Sequence, residues 1–159
     1  MLFWVVKMLK KRIGAEAIER SWPDDDCNLE DYYKVPTTLI IPEGCVRIGH
    51  RVFTNCTSLK EVIISEGCKS IGIESFSGCR KLEKLVIREG VTDIELSAFS
   101  DCKELREVII PESVEVIGSF AFKDCWNAEI IVGKPESKFE YFGYGAFGGC
   151  KRVKLVIVC

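Results

Sequence analysis

The sequence contains a single histidine, His50, and none of the short motifs that mark common enzymes. No Gly-x-Ser-x-Gly, phosphate-binding loop or His-Glu-x-x-His pattern occurs. No Cys-x-x-Cys pair is present, so the usual spacing of a zinc or dithiol centre is missing. A Cys–His pair would have to use His50, which we interpret as a surface residue. We therefore predict no catalytic residue, no metal site and no cofactor.

The chain also lacks a long apolar run and a strong net charge. No segment approaches the ~20 apolar residues that a membrane-spanning helix needs. The apolar opening over residues 1–6 stops at Lys7, without the order of basic, apolar and small residues of a secretory signal. A net charge of −2 provides no overall attraction to nucleic acid or anionic lipid. We expect a mature, non-secreted chain with no membrane span and no nucleic-acid partner, unless a signal has been removed.

Internal repetition is what the sequence has in abundance. A phenylalanine recurs every 23 residues, a cysteine follows it three positions later, and a fifth copy is displaced by two residues. Self-similarity at a fixed period of this length indicates a solenoid of stacked coils. The repeated positions are Phe53, Phe76, Phe99, Phe122 and Phe147, followed by Cys56, Cys79, Cys102, Cys125 and Cys150.

Nine cysteines are an unusually high and odd number. Five share one repeat position, which indicates packing in a core rather than a disulfide framework, because free cysteine behaves as a small hydrophobe. Buried free thiols favour a reducing, cytoplasmic location. Residues stacked about 4.8 Å apart are also close enough for disulfides, so oxidation stays open. Cys27 and Cys159 lie outside the repeat columns and are the best candidates for reactive thiols.

Each repeat contains a short strand, a turn and a second extended piece. In Thr38–Ile41, β-branched residues run into the turn residues Pro42-Glu43-Gly44. Alternation places every second strand residue in the core. The segment around each phenylalanine, such as 98–102, is predicted to be a short helical turn. Matching strands are predicted at Glu61–Ile64, Lys84–Ile87, Glu107–Ile110, 130–132 and 155–158.

The strings IPESVEVIGSFAFKDC at 110–125 and CTSLKEVII at 56–64 show the repeat in its fullest form. They resemble the BspA-like leucine-rich repeat family, and the resemblance covers about residues 37–159. It implies a right-handed solenoid with short parallel strands, a role in binding or adhesion, and no shared catalytic residues. We therefore predict a leucine-rich-repeat solenoid of about five and a half coils over 37–159.

Residues 1–36 do not match the repeat and form a second predicted unit. Apolar residues spaced by about 3.6 positions predict a helix that Pro23 ends, and an acidic loop follows. We expect an N-terminal helical cap, because the open end of a solenoid exposes its core. The alternative is a partner-binding amphipathic helix that uses Leu2, Phe3, Trp4 and Val5.

A binding surface is predicted on the outward side of the main strands. One outward column is β-branched over six coils, and the column beside it turns apolar towards the C-terminus. Two interpretations stay open, because branched residues favour strands even when exposed, and contiguous exposed apolar area marks partner sites. Glu61, Lys84 and Glu107 are predicted to pair along the stack. The predicted partner-binding residues are Ile40, Ile63, Val86, Ile109, Ile130, Val132, Leu155 and Ile157.

We predict a non-enzymatic protein–protein interaction module, or scaffold, that binds an unknown protein partner through this face. Residues 153–159 form a last strand that nothing follows, and such an edge invites association. The first alternative is a structural protein that self-associates through the uncapped C-terminal coil, unless the chain is a fragment. The second is a surface adhesin, placed at the cell surface if a signal has been removed. A thiol enzyme is disfavoured.

Overall fold

The computed structural model describes residues 37–156, except for the side chain of Leu155. The predicted cap over 1–36, the predicted reactive thiols Cys27 and Cys159, and Ile157 lie outside the described residues. The strands are β1 (Thr38–Ile41), β2 (Arg47–Ile48), β3 (Glu61–Ile64), β4 (Ser70–Ile71), β5 (Lys84–Ile87), β6 (Asp93–Ile94), β7 (Glu107–Ile110), β8 (Val116–Ile117), β9 (Glu129–Val132), β10 (Tyr141–Phe142) and β11 (Arg152–Leu155). Within 37–156 a 3₁₀ turn at Glu136–Lys138 is the only helix, and no helix there could cross a membrane.

Parallel sheets run along two sides of the stack. The four-residue strands form the sheets β1-β3-β5 and β7-β9-β11, and the two-residue strands form one continuous sheet, β2-β4-β6-β8-β10. Strands pair with their equivalents in the next coil, as Leu39 does with Val62, except that β5 and β7 do not pair. We call the outward side of the four-residue strands the primary face and that of the two-residue strands the secondary face. The predicted solenoid of short parallel strands is confirmed.

The third side of each coil, around the repeated phenylalanine, consists of turns. Ser97 (φ 52°) and Asp101 (φ 59°), two positions either side of Phe99, have a left-handed backbone, and the same holds in the neighbouring coils. The N–H groups of Ser97, Phe99 and Asp101 donate to carbonyls of the next coil at 2.8–3.0 Å. A helical turn would instead close these bonds within the segment. The prediction of a short helical turn is therefore corrected.

Phenylalanine and cysteine occupy the core between this turn side and the sheets. Phe99 lies parallel to Phe76, with ring centroids 5.2 Å apart and an interplanar angle of 2°. The Cys102 thiol donates to the Phe76 carbonyl one coil back, at 3.3 Å. The cysteines therefore satisfy core carbonyls as well as filling space. Equivalent bonds run from Cys79, Cys125 and Cys150 to Phe53, Phe99 and Phe122 at 3.1, 3.1 and 3.2 Å.

The fifth coil is one residue shorter before its strand, which shifts the alternation of its side chains. Strand β9 starts at Glu129, 22 residues after β7 starts at Glu107, whereas β1, β3, β5 and β7 start 23 residues apart. A register shift of one residue moves every side chain to the opposite face of a sheet. Ile130 and Val132 are therefore 0% and 1% exposed, and Ile131 faces outward. The prediction that Ile130 and Val132 face a partner is wrong.

An insertion of three residues follows β9 and restores the coil. Ten residues lead from Val132 to Phe142, whereas seven lead from Ile110 to Ile117 at the matching positions. The extra chain forms the 3₁₀ helix, after which Phe139 enters the core beside Phe142, with ring centroids 5.5 Å apart. One missing residue and three inserted residues explain the two-residue displacement of the fifth phenylalanine.

The register of β9 predicts opposite results for two adjacent substitutions. Val132→Lys should lower the free energy of unfolding by about 3 kcal/mol or more, because it leaves an uncompensated charge in the core. Ile131→Lys should cost about 1 kcal/mol or less, since that side chain lies on the primary face. Urea denaturation of both variants measures the difference. A larger loss in Ile131→Lys than in Val132→Lys would refute the register.

Candidate protein-binding surface

An apolar column crosses the primary face in every coil from β1 to β9. Ile109 is the most open member, with 59% of its surface exposed, and Ile40 is also exposed. Ile63, Val86 and Ile131 are half-buried. The first four of the predicted partner-binding residues are therefore brought together, and Ile131 takes the place predicted for Val132. The backbone of Leu155 pairs in register with that of Val132.

A charged column lies beside the apolar one, at the first residue of each four-residue strand from β3 to β11. Lys84 Nζ lies 2.6 Å from Glu61 Oε1, so the predicted pairing is present between β3 and β5. It ends there, because Glu107 forms no ion pair with any other residue in 37–156 and its register partner is Glu129. Glu129 is held by Lys154 at 3.2 Å, and this hydrogen bond lowers the pKa of the Glu129 carboxyl.

A groove of about 700 Å³ opens on the primary face between β5 and β7. The parallel ladder is interrupted at this point, since β5 and β7 belong to separate sheets. Arg88 N–H donates to the Ile64 carbonyl one coil back at 3.2 Å, whereas Pro111 at the matching position has no N–H for the Ile87 carbonyl. Apolar side chains line the groove at Leu85, Val86, Ile87, Ile109 and Pro111.

Opposite charges lie at the two ends of this groove. Arg88 directly follows β5, and Glu107 is the first residue of β7. Neither forms an ion pair within the described part of the chain, while Arg106 nearby pairs with Glu83 at 3.4 Å. An apolar floor between an open cation and an open anion can accommodate an extended polypeptide whose charges run in the complementary order.

Within residues 37–156, six of the seven cysteine side chains are buried. Burial, followed by the hydrogen bond to Cys125, raises the pKa of Cys102 well above its ordinary value. Burial also raises the pKa of the half-buried Cys150 to about 12. A hydrogen bond from Cys68 lowers the pKa of Cys45, but the Cys45 side chain is buried. Among residues 37–156, no three metal-ligating side chains come together.

Sequence reasoning missed a polar cluster on the secondary face. Glu95 interrupts a glycine column, and its Oε1 accepts hydrogen bonds from Arg47 Nη2 at 2.9 Å and Ser70 Oγ at 2.7 Å. Its carboxylate therefore reaches Arg47 two coils back, across the coil that carries Ser70. His50 is exposed beside it, with Nδ1 3.9 Å from Glu95 Oε2. The break in the glycine column was the signal that could have found this cluster.

Residues 32–154 match the profile of the BspA type leucine rich repeat region, in six copies. Among solved structures, the chain is similar to a leucine rich repeat protein of T. pallidum, with 25% identity and a TM-score of 0.68. It is also similar to a leucine rich cell surface protein of Faecalibacterium prausnitzii, with 33% identity and a TM-score of 0.64. No curated protein matches the chain in sequence.

The similar structures are longer than this chain. The match covers 76% of the chain and 58% of the T. pallidum protein. It covers 77% of the chain but only 36% of the F. prausnitzii protein. A leucine-rich repeat protein from Bacteroides ovatus, 30% identical with a TM-score of 0.54, is matched over 74% of the chain and 39% of its own length. The similarity therefore concerns the repeat region of larger proteins.

Burial and raised pKa values predict slow alkylation of the core thiols. At pH 8 in native buffer, iodoacetamide should leave Cys102 and Cys125 unmodified until denaturant is added, because both side chains are fully buried and the pKa of Cys102 is also raised. Cys150 should react slowly, and its rate should rise about tenfold for each pH unit up to about 11, approaching its raised pKa. Peptide mass spectrometry measures each site. Equal labelling of Cys102 with and without denaturant would contradict the inward assignment.

Proposed function

Because the chain belongs to the BspA-type leucine-rich repeat family, we propose that it is a non-enzymatic protein-binding module whose partner contacts the primary face. Repeat solenoids present extended surfaces on which side chains change without disturbing the coil. Here the positions that build the coil are buried, so the outward positions are the ones free to determine binding.

The exposure of Ile109 is the observation that supports this proposal. The large aliphatic side chain of Ile109, in the edge strand β7, is 59% exposed, in line with four other apolar residues and beside the groove between β5 and β7. Contiguous exposed apolar area of this kind is typical of a protein-interaction site. Burial of Ile109 against a partner would remove this area from water.

The charges around the groove indicate how a partner segment would lie. Arg88 and Glu107 are separated by the length of a four-residue strand, and neither has an ion-pair partner in the described range. A segment with an acidic residue near Arg88, an apolar residue near Ile109 and a basic residue near Glu107 would satisfy both charges. Rim charges of this kind contribute more to specificity and association rate than to affinity.

We propose a reducing compartment for the chain, because Cys102 and Cys125 are fully buried and their thiols donate hydrogen bonds to core carbonyls. A cell-surface location is the alternative, and it is supported by similarity to the F. prausnitzii cell surface protein. Under that alternative the module would act as part of an adhesin.

Ile109→Lys is expected to abolish binding through the primary face and to leave folding intact. A displayed peptide library selected on the wild-type chain supplies the ligands, and their affinity for each variant is then measured. Affinity for Ile109→Lys should fall at least about tenfold, because a charge replaces the apolar contact.

Val46→Lys is the matched control, since Val46 is an equally exposed aliphatic residue beside the secondary face. It should retain wild-type affinity. If both variants lose binding alike, or neither does, the ligands bind elsewhere and the primary face is not the site. Circular dichroism of each variant separates loss of contact from loss of fold.

Self-association through the last described coil is a second candidate function. Val153 of β11 pairs in register with the fully buried Ile130, yet it is 44% exposed. Within residues 37–156 no further coil covers this core position. A second copy of the chain stacked on β11 would bury it and pair the open edge of the strand.

Size measurement tests the second candidate. Sedimentation velocity over a wide concentration range should show a dimer or larger species that Val153→Asp converts to a monomer, because a buried charge opposes stacking. Thr38→Asp, at the exposed first residue of β1, is the control and should not change the distribution. A strict monomer at every concentration would exclude self-association.

A further inference from the structure

The secondary face carries an exposed aromatic surface over its last two coils. We call Leu96, Phe120, Tyr141 and Tyr144 the aromatic patch. Tyr144 is 83% exposed and Tyr141 is 52% exposed, and Leu96 is exposed beside them. The patch lies on a different side of the coil from the primary face, so a partner bound there would leave the groove between β5 and β7 free.

The rings of the patch are held in place before any partner binds. Tyr144 packs edge-on against Phe120, with ring centroids 5.8 Å apart and an interplanar angle of 87°. The Tyr141 hydroxyl is within 3.2 Å of the Ser119 hydroxyl. Phe120 has a left-handed backbone (φ 58°), which is strained for a bulky residue, and the coil stack maintains it.

Two carboxylates border the patch. Glu140 directly precedes Tyr141, and its N–H donates to the Glu115 carbonyl at 2.8 Å, so the two glutamates lie on adjacent coils. Both are exposed, and neither forms an ion pair with another residue of 37–156. Like charges side by side on a sheet are unfavourable. A cation supplied by a partner would relieve this repulsion.

The chain itself shows that its aromatic rings accept cations. Lys103 lies over Trp126 at 4.4 Å, Lys134 over Phe139 at 4.6 Å, and Lys123 over Phe120 at 5.3 Å. Tyr144 is the most exposed of the described aromatic residues, and no cation from residues 37–156 lies over its ring. An open π-face beside uncompensated carboxylates favours a cationic side chain over a neutral ligand.

We propose that the aromatic patch binds an arginine- or lysine-bearing segment of a partner protein. One basic side chain lies on the Tyr144 ring, and a second basic residue of the segment faces Glu115 and Glu140 at the start of β10. This goes beyond the function proposed for the primary face, because it assigns a second surface with a different ligand chemistry. The chain would then join two proteins through two sides of one coil stack.

The test is an NMR titration of the full ¹⁵N-labelled chain with an acetylated tetra-arginine peptide. Shifts should concentrate at the amides of Phe120, Tyr141 and Tyr144, and the affinity should fall with added salt. The matched tetra-citrulline peptide has the same shape without the charge and should not bind. Tyr144→Ala should weaken tetra-arginine binding about tenfold, in the range of a cation–π contact.

Two further variants separate this site from the primary face and from an unfolded chain. The double variant Glu115→Gln/Glu140→Gln keeps the side-chain shape and should lose most of the salt dependence. Ile109→Ala changes the primary face alone and should bind tetra-arginine like the wild type. If the peptide-library experiment on the primary face fails, the tetra-arginine titration still tests the aromatic patch. If the titration fails, the proposal for the primary face is unaffected.

Several results would overturn the proposal. These are equal binding of the citrulline peptide, unchanged binding by Tyr144→Ala, or no shifts up to about 1 mM peptide, which corresponds to the weakest useful affinity. Shifts at the patch with a neutral oligosaccharide such as maltotetraose, but none with tetra-arginine, would instead identify a carbohydrate site.

Discussion

Hydrogen bonding between successive coils is the constraint on which the rest of the structure depends. A single coil buries too little to stand alone, so it has to pass its backbone donors and acceptors to its neighbours on every side. The two kinds of strand do this on two sides. On the third side the left-handed residues turn three amides per coil towards the next coil. The thiols of Cys79, Cys102, Cys125 and Cys150 reach back to phenylalanine carbonyls. A 23-residue period keeps all of these partners in line.

Side chains that point outward take no part in the hydrogen bonding between coils. Their identity is therefore free to vary, and the surface features arise from this variation. Where the coil-building residues keep their identity, the face between them can vary. Pro111 removes one donor and the sheet separates beside Ile109. Glu95 replaces a glycine and ties three coils together through Arg47 and Ser70. Tyr144 stands where other coils have smaller residues. Each departure from the repeat gives one face of an otherwise uniform stack its own chemistry.

Strict periodicity made most of the fold predictable from the sequence. Ile64, Phe76 and Cys79 lie where the columns placed them, because each column has one environment. The same reasoning gave the wrong side-chain directions in the fifth coil. Its displacement of two residues is the sum of one residue lost before β9 and three gained after it. The direction of each side chain depends on where the loss and the gain occur. Asn55 and Asp101 carried a signal for left-handed backbone, but Arg51 and Phe120 did not. The groove could not be predicted from the sequence, because it depends on the separation of strands β5 and β7.

The turn side has a consequence for the electrical character of the molecule. In the sheets, neighbouring amides point in both directions along the stack and their dipoles largely cancel. In the turns, the amides of residues such as Ser97, Phe99 and Asp101 all point towards the next coil, and four successive coil interfaces repeat the pattern. Aligned peptide dipoles add, as they do in an α-helix. The solenoid therefore has a polar axis along one edge, positive towards the C-terminal coil, built without any helix.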